Sequence, residues 1–185
     1  MEKIEIRKVL HHDCELLHRL AVETFVESYG SVNAEANMQG YLNQNYSVEQ
    51  LKLELKHPFS EFYFAYLNQE AVGFLKINFN EAQTKTQDKP SIEIERIYVL
   101  KKFQGKQIGQ LLFNKAIEIG KEQHAKYLWL GVWEKNERAI RFYQKNGLLP
   151  YGKHIFKLGD EEQLDILMKV AVTSFSNPIE SKKSD

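Results

Sequence analysis

The residues best suited to bind a charged ligand lie in one short stretch, Gln104–Gly109 (QGKQIG), between a strand-like and a helix-like segment. The first turn of a helix has unpaired backbone N–H groups and a partial positive charge, and glycine lets an anion approach them. Lys101, Lys102 and Lys106 add positive charge around this turn. The stretch therefore indicates a phosphate-binding loop, but an ordinary glycine turn with solvated lysines would use the same residues.

Two common nucleotide-binding loops do not match this stretch. A P-loop needs lysine and then serine or threonine next to its second glycine, whereas Gln110 and Leu111 follow Gly109. The G-x-G-x-x-G pattern of dinucleotide-binding domains does not occur in the chain either. A phosphate site here would therefore be of another kind.

A second segment, Asn136–Gly147 (NERAIRFYQKNG), follows the loop after one more predicted strand. In this order the two segments resemble the acyl-CoA-binding core of the GCN5-related N-acetyltransferases (the GNAT superfamily). The loop of that family has the form [Gln/Arg]-x-x-Gly-x-[Gly/Ala] after a strand that ends in valine, and Val99, Gln104 and Gly109 match it. Gln107 departs from the pattern, because it stands where the family most often has glycine.

The resemblance implies a set of contacts with acetyl-CoA. Backbone groups of one strand would pair with the pantetheine arm, and the loop and the helix after it would hold the phosphates. The residues implied are Ile97, Tyr98 and Val99 in the strand, Gln104, Gly105, Lys106, Gln107, Ile108, Gly109 and Gln110 in the loop and helix, and Asn136 and Lys145 in the second segment. Because glutamine prefers a negative φ, we expect Gln107 to weaken this binding without abolishing it.

Transfer of an acetyl group to an amine requires two proton movements. An alkyl amine with a pKa of about 10 must lose a proton before it attacks, and the departing CoA thiolate benefits from a proton donor. By resemblance to the R-F-Y-x-x-x-G segment of the family, Tyr143 is the acid, although a tyrosine there could also simply pack on the apolar side of its helix. Glu95 is the expected base, acting through a water, and Glu93 is the alternative on the same face of the strand.

The acceptor is expected to be a polyamine, because within the superfamily the chain is similar to the PaiA-type spermidine/spermine N-acetyltransferases. That similarity rests on Glu95–Val99, Trp129–Glu134 and His154–Met168. Carboxylates that could bind the cation are Glu23 and Glu27 on the first helix, together with Glu93. Two alternatives stay open: another acceptor, such as an amino acid, an aminoglycoside-like amine or a protein N-terminus, and a non-catalytic acetyl-CoA-binding regulator, which Gln107 favours.

Composition argues against several other classes of protein. With 25 basic and 25 acidic residues the 185-residue chain has no net charge, so we expect no nucleic-acid partner. No apolar run approaches the ~18 residues of a membrane span, and the N-terminus lacks the features of a signal peptide. Cys14 is the only cysteine, and the histidines form no ligand pattern, so no metal is expected. We therefore expect a cytoplasmic enzyme that acts on a small-molecule amine, with a homodimer as a possible state.

These residues need a scaffold of mixed strands and helices. The order of the predicted elements indicates one α/β domain over residues 1–172 and a polar, disordered tail over 173–185. The resemblance implies a mixed, mostly antiparallel sheet of about seven strands with about four helices, in which two strands splay apart to form the acyl-CoA cleft. Apolar patterns predict a hairpin at Asn68–Glu70 and final strands at His154–Leu158 and Leu164–Val170, whereas the polar segment Gly30–Asn45 predicts a loop with at most one helical turn.

Overall fold

The computed structural model describes residues 3–85 and 90–175, which form a seven-stranded sheet with helices packed against it. The strands are β1 (Ile4–Lys8), β2 (Ser60–Leu67), β3 (Glu70–Phe79), β4 (Ser91–Val99), β5 (Tyr127–Trp133), β6 (Leu149–Leu158) and β7 (Glu161–Ala171). The helices are α1 (Cys14–Tyr29), α2 (Glu35–Asn45), α3 (Val48–Lys56), α4 (Ile108–Glu122) and α5 (Glu137–Lys145).

The sheet has the strand order β1-β2-β3-β4-β5-β7-β6, and only the central pair is parallel. Strands β4 and β5 pair through three residues at their starts, from Ser91 opposite Tyr127 to Glu93 opposite Trp129. Beyond these residues each strand keeps only its outer partner, so the two strands part toward their C-terminal ends. The predicted mixed sheet with a splayed central pair is confirmed.

Helices cover both faces of this sheet, because its strands alternate two sets of apolar side chains. In β2, Phe62 and Phe64 belong to the core beneath α1, α2 and α3, whereas Tyr63 and Ala65 belong to the core beneath α4. The central strand β5 is apolar on both faces, as expected of a strand buried between two layers. The predicted hairpin between β2 and β3 is confirmed, and Asn68 and Gln69 form its turn with φ angles of 48° and 72°.

The prediction of a loop for the polar segment Gly30–Asn45 was wrong. Most of this segment forms the helix α2. This helix buries only Met38 and Leu42, so its sequence carries almost no apolar period. It is stabilised instead by its position over α1, α3 and β6, which the sequence does not reveal. The described chain consequently has five α-helices, one more than predicted.

The C-terminal strands begin earlier than predicted, β6 at Leu149 and β7 at Glu161. The strand β6 lies at the edge of the sheet, where Pro150 is tolerated and most side chains are exposed, so its first half lacks an apolar pattern. Near the end of the described chain, Phe175 packs on Phe113, so the ordered domain extends past residue 172. The rest of the predicted tail, residues 176–185, lies outside the described residues.

Candidate active site

A cleft of about 480 Å³ opens where β4 and β5 part. Its described walls come from the end of β4, the following loop, the first turn of α4, the middle of β5 and the helix α5. The predicted CoA contacts that line it are Ile97, Tyr98, Val99, Gln104, Gly105, Gln107, Ile108, Gly109, Gln110, Asn136 and Lys145. Lys106 is the one predicted contact that is not part of this lining.

The loop enters α4 through backbone conformations that favour glycine. Gly105 has a φ of 86°, and Gln107, the N-cap residue, has a φ of 63°. Gln107, which stands where the family most often has glycine, therefore adopts a positive φ that glycine tolerates better. At Gly109, in contrast, an added Cβ would meet no atom within 4 Å. Packing within the protein does not require glycine at this position, and the open space beside it belongs to the cleft.

The side chain of Gln104 connects the loop to both of its neighbours. Its Nε2 donates a hydrogen bond to the Val99 carbonyl at 3.0 Å, and its Oε1 accepts one from Arg138. Arg138 lies in the first turn of α5 and also lines the cleft. The sequence analysis missed this cation, because only the fold places the start of α5 beside the loop.

Two amide side chains fix α5 against the cleft. Asn136 caps the helix, since its Oδ1 accepts a hydrogen bond from the Ala139 N–H at 3.1 Å. Its side-chain NH₂ is not used by this cap. At the other end of α5, Asn146 exchanges two hydrogen bonds with Gln110 of α4, at 2.7 and 3.1 Å. The Asn146–Gln110 pair thus ties the end of α5 to α4, whereas the Asn136 cap fixes the start of α5 itself.

Tyr143 of α5 reaches the cleft from a buried position, with 7% of its surface exposed. Burial, together with the neighbouring Tyr29, raises the pKa of Tyr143 above its usual range. The hydroxyl is therefore protonated at neutral pH and can donate a proton or a hydrogen bond into the cleft.

Glu95 lies at a bulge in β4, which the pairing with β3 makes visible. Ile94 pairs with Ile77 and Arg96 with Lys76, so Glu95 is the extra residue. A bulge of this kind turns neighbouring side chains to the same side. The Glu95 carboxylate contacts Lys76 at 2.6 Å and the adjacent Arg96 at 3.0 Å.

These contacts belong to a buried cluster of two cations and two carboxylates. Glu54 of α3 completes it, with contacts of 2.8 Å to Arg96 and 3.0 Å to Lys76. The side chains of Arg96 and Lys76 are only 7% and 6% exposed. Burial acts to raise the pKa of Glu95, but the charges of Arg96 and Lys76 outweigh it and the pKa is lowered. The Glu95 carboxylate is therefore held in its charged form by fixed partners.

A second cavity of about 290 Å³ lies on the other side of the splayed strands. It shares with the first cleft the wall formed by Tyr29, Ile94, Glu95, Tyr98 and Gly131. Six of its remaining lining residues are aromatic, namely Phe25, Tyr41, Tyr46, Trp129, Trp133 and Phe156. The two cavities therefore meet at the gap between β4 and β5.

Two further carboxylates line this second cavity, Glu93 and Asp165. Glu93 is buried and accepts hydrogen bonds from the Thr84 backbone N–H at 2.7 Å, from the Thr84 hydroxyl and from Asn78 at 3.2 Å. Burial nevertheless raises its pKa. Asp165 of β7 was missed in the sequence analysis, because a single aspartate between Leu164 and Ile166 carries no motif.

The two acidic residues predicted on the first helix are not brought to either cavity. Glu23 and Glu27 are exposed, and neither is among the described lining residues. Glu27 instead accepts a hydrogen bond from the Lys101 backbone N–H at 2.7 Å. The face of α1 that turns to the cavities carries Phe25 and Tyr29, because its apolar side packs on the sheet.

Comparisons with known proteins agree with this geometry. Residues 16–148 match the acetyltransferase (GNAT) family. The chain is 38% identical over 172 residues to an uncharacterized N-acetyltransferase of Lactobacillus delbrueckii subsp. lactis, covering 93% of this chain and 99% of that one. It is 29% identical over 172 residues to the spermidine N(1)-acetyltransferase of Thermoplasma acidophilum, covering 90% and 96%. The crystal structure of PaiA N-acetyltransferase from T. acidophilum, in complex with coenzyme A, has a TM-score of 0.72 at 24% identity, covering 91% and 99%.

The chain therefore belongs to the acetyltransferase (GNAT) family. It is an N-acetyltransferase, and acetyl-CoA is its co-substrate. The family and the reaction class predicted from the loop and the Asn136–Gly147 segment are confirmed.

None of the helices in residues 3–85 and 90–175 is both long and apolar enough to cross a membrane. In the same residues, no group of three or more His, Cys, Asp or Glu side chains is arranged to hold a metal ion.

Proposed function

We propose that this N-acetyltransferase passes the acetyl group of acetyl-CoA directly to a primary amine, and that a polyamine such as spermidine is the acceptor. The observation that carries the proposal is the pair of cavities that meet at the wall of Tyr98 and Gly131. One cavity has the loop and helix N-terminus suited to phosphates, and the other has carboxylates and aromatic rings suited to a cation. A thioester held at the wall that the two cavities share would face both cavities.

In this proposal the first cleft holds the CoA part of the co-substrate. The edge of β4 that faces the gap has no strand partner from Ile94 to Val99 among the described residues, so its backbone groups can pair with the amides of the pantetheine arm. The start of α4 offers backbone N–H groups to the pyrophosphate, and the missing side chain at Gly109 leaves room for it. Arg138 adds a guanidinium at the mouth of the cleft.

Tyr143 is proposed as the acid that protonates the departing thiolate. It faces the cleft, and its raised pKa keeps the hydroxyl protonated, so it can donate a hydrogen bond and then a proton to the departing sulfur. Cys14, the only cysteine, is buried and lines neither cavity, with its Sγ 3.6 Å from the Val48 carbonyl oxygen. Its position supports direct transfer without an acyl-cysteine intermediate.

Glu95 is the base that the sequence predicts, and it lines both cavities. Its lowered pKa and its two ion pairs make it a poor proton acceptor, because protonation would leave Lys76 and Arg96 with Glu54 alone. The expected consequence of neutralising Glu95 is lost stability as well as lost activity.

A polyamine is supported by two observations. The 29% identical relative from T. acidophilum is a spermidine N(1)-acetyltransferase. The second cavity presents Glu93, Asp165 and several aromatic rings, and both carboxylates and ring faces attract ammonium groups.

The test is release of free thiol from acetyl-CoA, followed with spermidine, spermine and a panel of amino acids, aminoglycosides and peptides with free N-termini. Tyr143→Phe removes the proposed acid and keeps the ring. Tyr127→Phe is the matched control, because Tyr127 lies in β5 with its side chain outside both cavities. We expect spermidine-dependent release that falls about 100-fold or more in Tyr143→Phe and is unchanged in Tyr127→Phe.

The outcomes separate the parts of the proposal. Faster release with an amino acid or another amine than with either polyamine would overturn the acceptor and leave the reaction class standing. Acetyl-CoA binding without release for any amine would refute turnover and favour a regulatory role.

A further inference from the structure

We propose that Asp165 of β7 is the group that takes the proton from the acceptor amine. This inference rests on the proposed function, since it assigns a role within the same transfer reaction. It differs from the expectation that Glu95 on β4 is the base.

The first argument is the position of Asp165 beside the junction of the two cavities. Asp165 lines the second cavity, and a Cβ built on Gly131 would lie 3.4 Å from its Oδ2. Gly131 itself lines both cavities, at the point where β5 has left β4. The carboxylate therefore lies next to the wall at which an amine in the second cavity would meet a thioester in the first.

The second argument is a comparison of the three carboxylates in the second cavity. Glu95 is held by two buried cations, and Glu93 accepts three hydrogen bonds from Thr84 and Asn78. No hydrogen bond or ion pair to the Asp165 carboxylate comes from the residues that the structure describes. A partly buried carboxylate without a fixed partner has its acceptor sites available for an ammonium group.

The third argument is the protonation state of Asp165, which depends on burial and on the charged groups around its carboxylate. Burial raises its pKa to about 6, while Lys85 acts to lower it. Lys85 also donates to Nδ1 of His154 at 2.8 Å, and His154 lies opposite Asp165 in β6, where burial and Lys85 lower the histidine pKa. Tyr29 faces Asp165 from α1, and burial, with a smaller contribution from this carboxylate, raises the pKa of that phenol.

The charged groups Glu93, Glu95 and Arg96 complete the lining of the same cavity. Arg96 is paired with Glu54 and Glu95, so it is not free to hold Asp165 in its charged form. With a pKa near 6, Asp165 is ionised at neutral pH and is still basic enough to accept a proton, as a general base should be.

The proposed reaction balances as follows. The ammonium group gives one proton to the Asp165 carboxylate, and the free amine attacks the thioester carbonyl carbon, so that an N–C bond forms. The tetrahedral intermediate then breaks its C–S bond. The second amine proton leaves the nitrogen, and the thiolate receives a proton from Tyr143, which regains one from the nitrogen through water. The proton on Asp165 returns to solvent. The products are the amide, free CoA thiol and one released proton.

The test compares Asp165→Asn with Glu95→Gln, Glu93→Gln and the control Asp160→Asn, a surface aspartate in the turn between β6 and β7. The substrates are spermidine and acetyl-CoA, and kcat/KM is measured from pH 6 to pH 10. We expect a loss of about 100- to 1,000-fold for Asp165→Asn at pH 7, with unchanged CoA affinity and unchanged activity in Asp160→Asn.

The pH profile distinguishes a base from a structural residue. Without Asp165, the rate depends on amine that is already deprotonated, so the deficit of Asp165→Asn should shrink steadily toward pH 10. Thermal unfolding should show this variant to be at least as stable as the native protein at pH 7, because it removes a charge that burial disfavours.

Four results would count against the inference. A native-like rate in Asp165→Asn, or a deficit that stays constant across the pH range, would overturn it while the proposed function stands. A pH-dependent deficit in Glu95→Gln instead would return the role to Glu95. Absence of turnover by the native protein with any amine would overturn both the inference and the proposed function.

Discussion

Replacing Gln107 by glycine is expected to stabilise the fold. Gln107 has a φ of 63° and a ψ of 7° at the N-cap of α4, a left-handed conformation, and its side chain makes no capping hydrogen bond there. Such a conformation costs a non-glycine residue about 1 to 2 kcal/mol, and glycine gives back about 0.4 to 1 kcal/mol through the entropy of the unfolded chain. The net gain is therefore about 0 to 1.6 kcal/mol, and its midpoint of about 0.8 kcal/mol corresponds to about 2 to 3 °C in Tm for a chain of this size.

The matched control is Gln107→Ala, which removes the same side chain but keeps the cost of a positive φ. Chemical denaturation and thermal melts of the native protein and the two variants, without ligand, measure the difference directly. We expect Gln107→Gly to be the most stable of the three, with Gln107→Ala close to the native protein. Equal stabilisation in both variants would assign the effect to the side chain and refute the backbone argument, and destabilisation by glycine would show that the conformation carries no strain.

Three other changes test the loop, the buried charges and the pH response. Gly109→Ala should weaken acetyl-CoA binding, measured by calorimetry. Its melting temperature should stay within a few degrees of the native value, because the added Cβ meets no protein atom within 4 Å. Unchanged affinity for acetyl-CoA would contradict the proposal that this loop binds the phosphates. Glu54→Gln should cost about 3 to 5 kcal/mol in urea unfolding because it leaves two buried cations undercompensated, whereas the exposed Glu49→Gln on the same helix should cost under about 1 kcal/mol. Burial raises the pKa of Asp165 from 3.8 to about 6, so its protonation stabilises the native state and this contribution is lost as pH rises through that range. The stability of Asp165→Asn relative to the native protein should therefore increase as the pH rises from 3.8 to about 6. A difference in unfolding free energy that does not change with pH would contradict the raised pKa.

Local patterns were sufficient to place several of the residues that line the first cleft. The loop before α4 is recognisable because its glycines and the helix after it are adjacent in the chain, and adjacent residues must be adjacent in space. Tyr143 and Asn136 could be placed for the same reason, since one helix and its cap fix both. The strand predicted between the loop and the Asn136–Gly147 segment is β5, and its sequence is recognisable because a strand buried on both faces is apolar throughout.

Other parts depend on distant segments and carry no local pattern. The helix α2 escaped prediction because it buries two side chains only, and Arg138 because the loop it contacts lies more than thirty residues earlier in the chain. The environment of Glu95 depends on the bulge in its own strand β4 and on Glu54 of the helix α3. No hydrophobic periodicity or sequence motif predicts that these charged side chains lie in contact.

The sequence by itself determined that this chain is an acetyl-CoA-dependent N-acetyltransferase with a loop at the start of a helix and Tyr143 on the helix that follows. These features are encoded in contiguous segments, so spacing along the chain is enough to define them. Only the tertiary structure decided which carboxylates meet at the second cavity, bringing in Asp165 and leaving Glu23 and Glu27 outside. The physical reason is that the pKa and the availability of a carboxylate depend on burial and on partners from other strands and helices, and the fold alone brings these together.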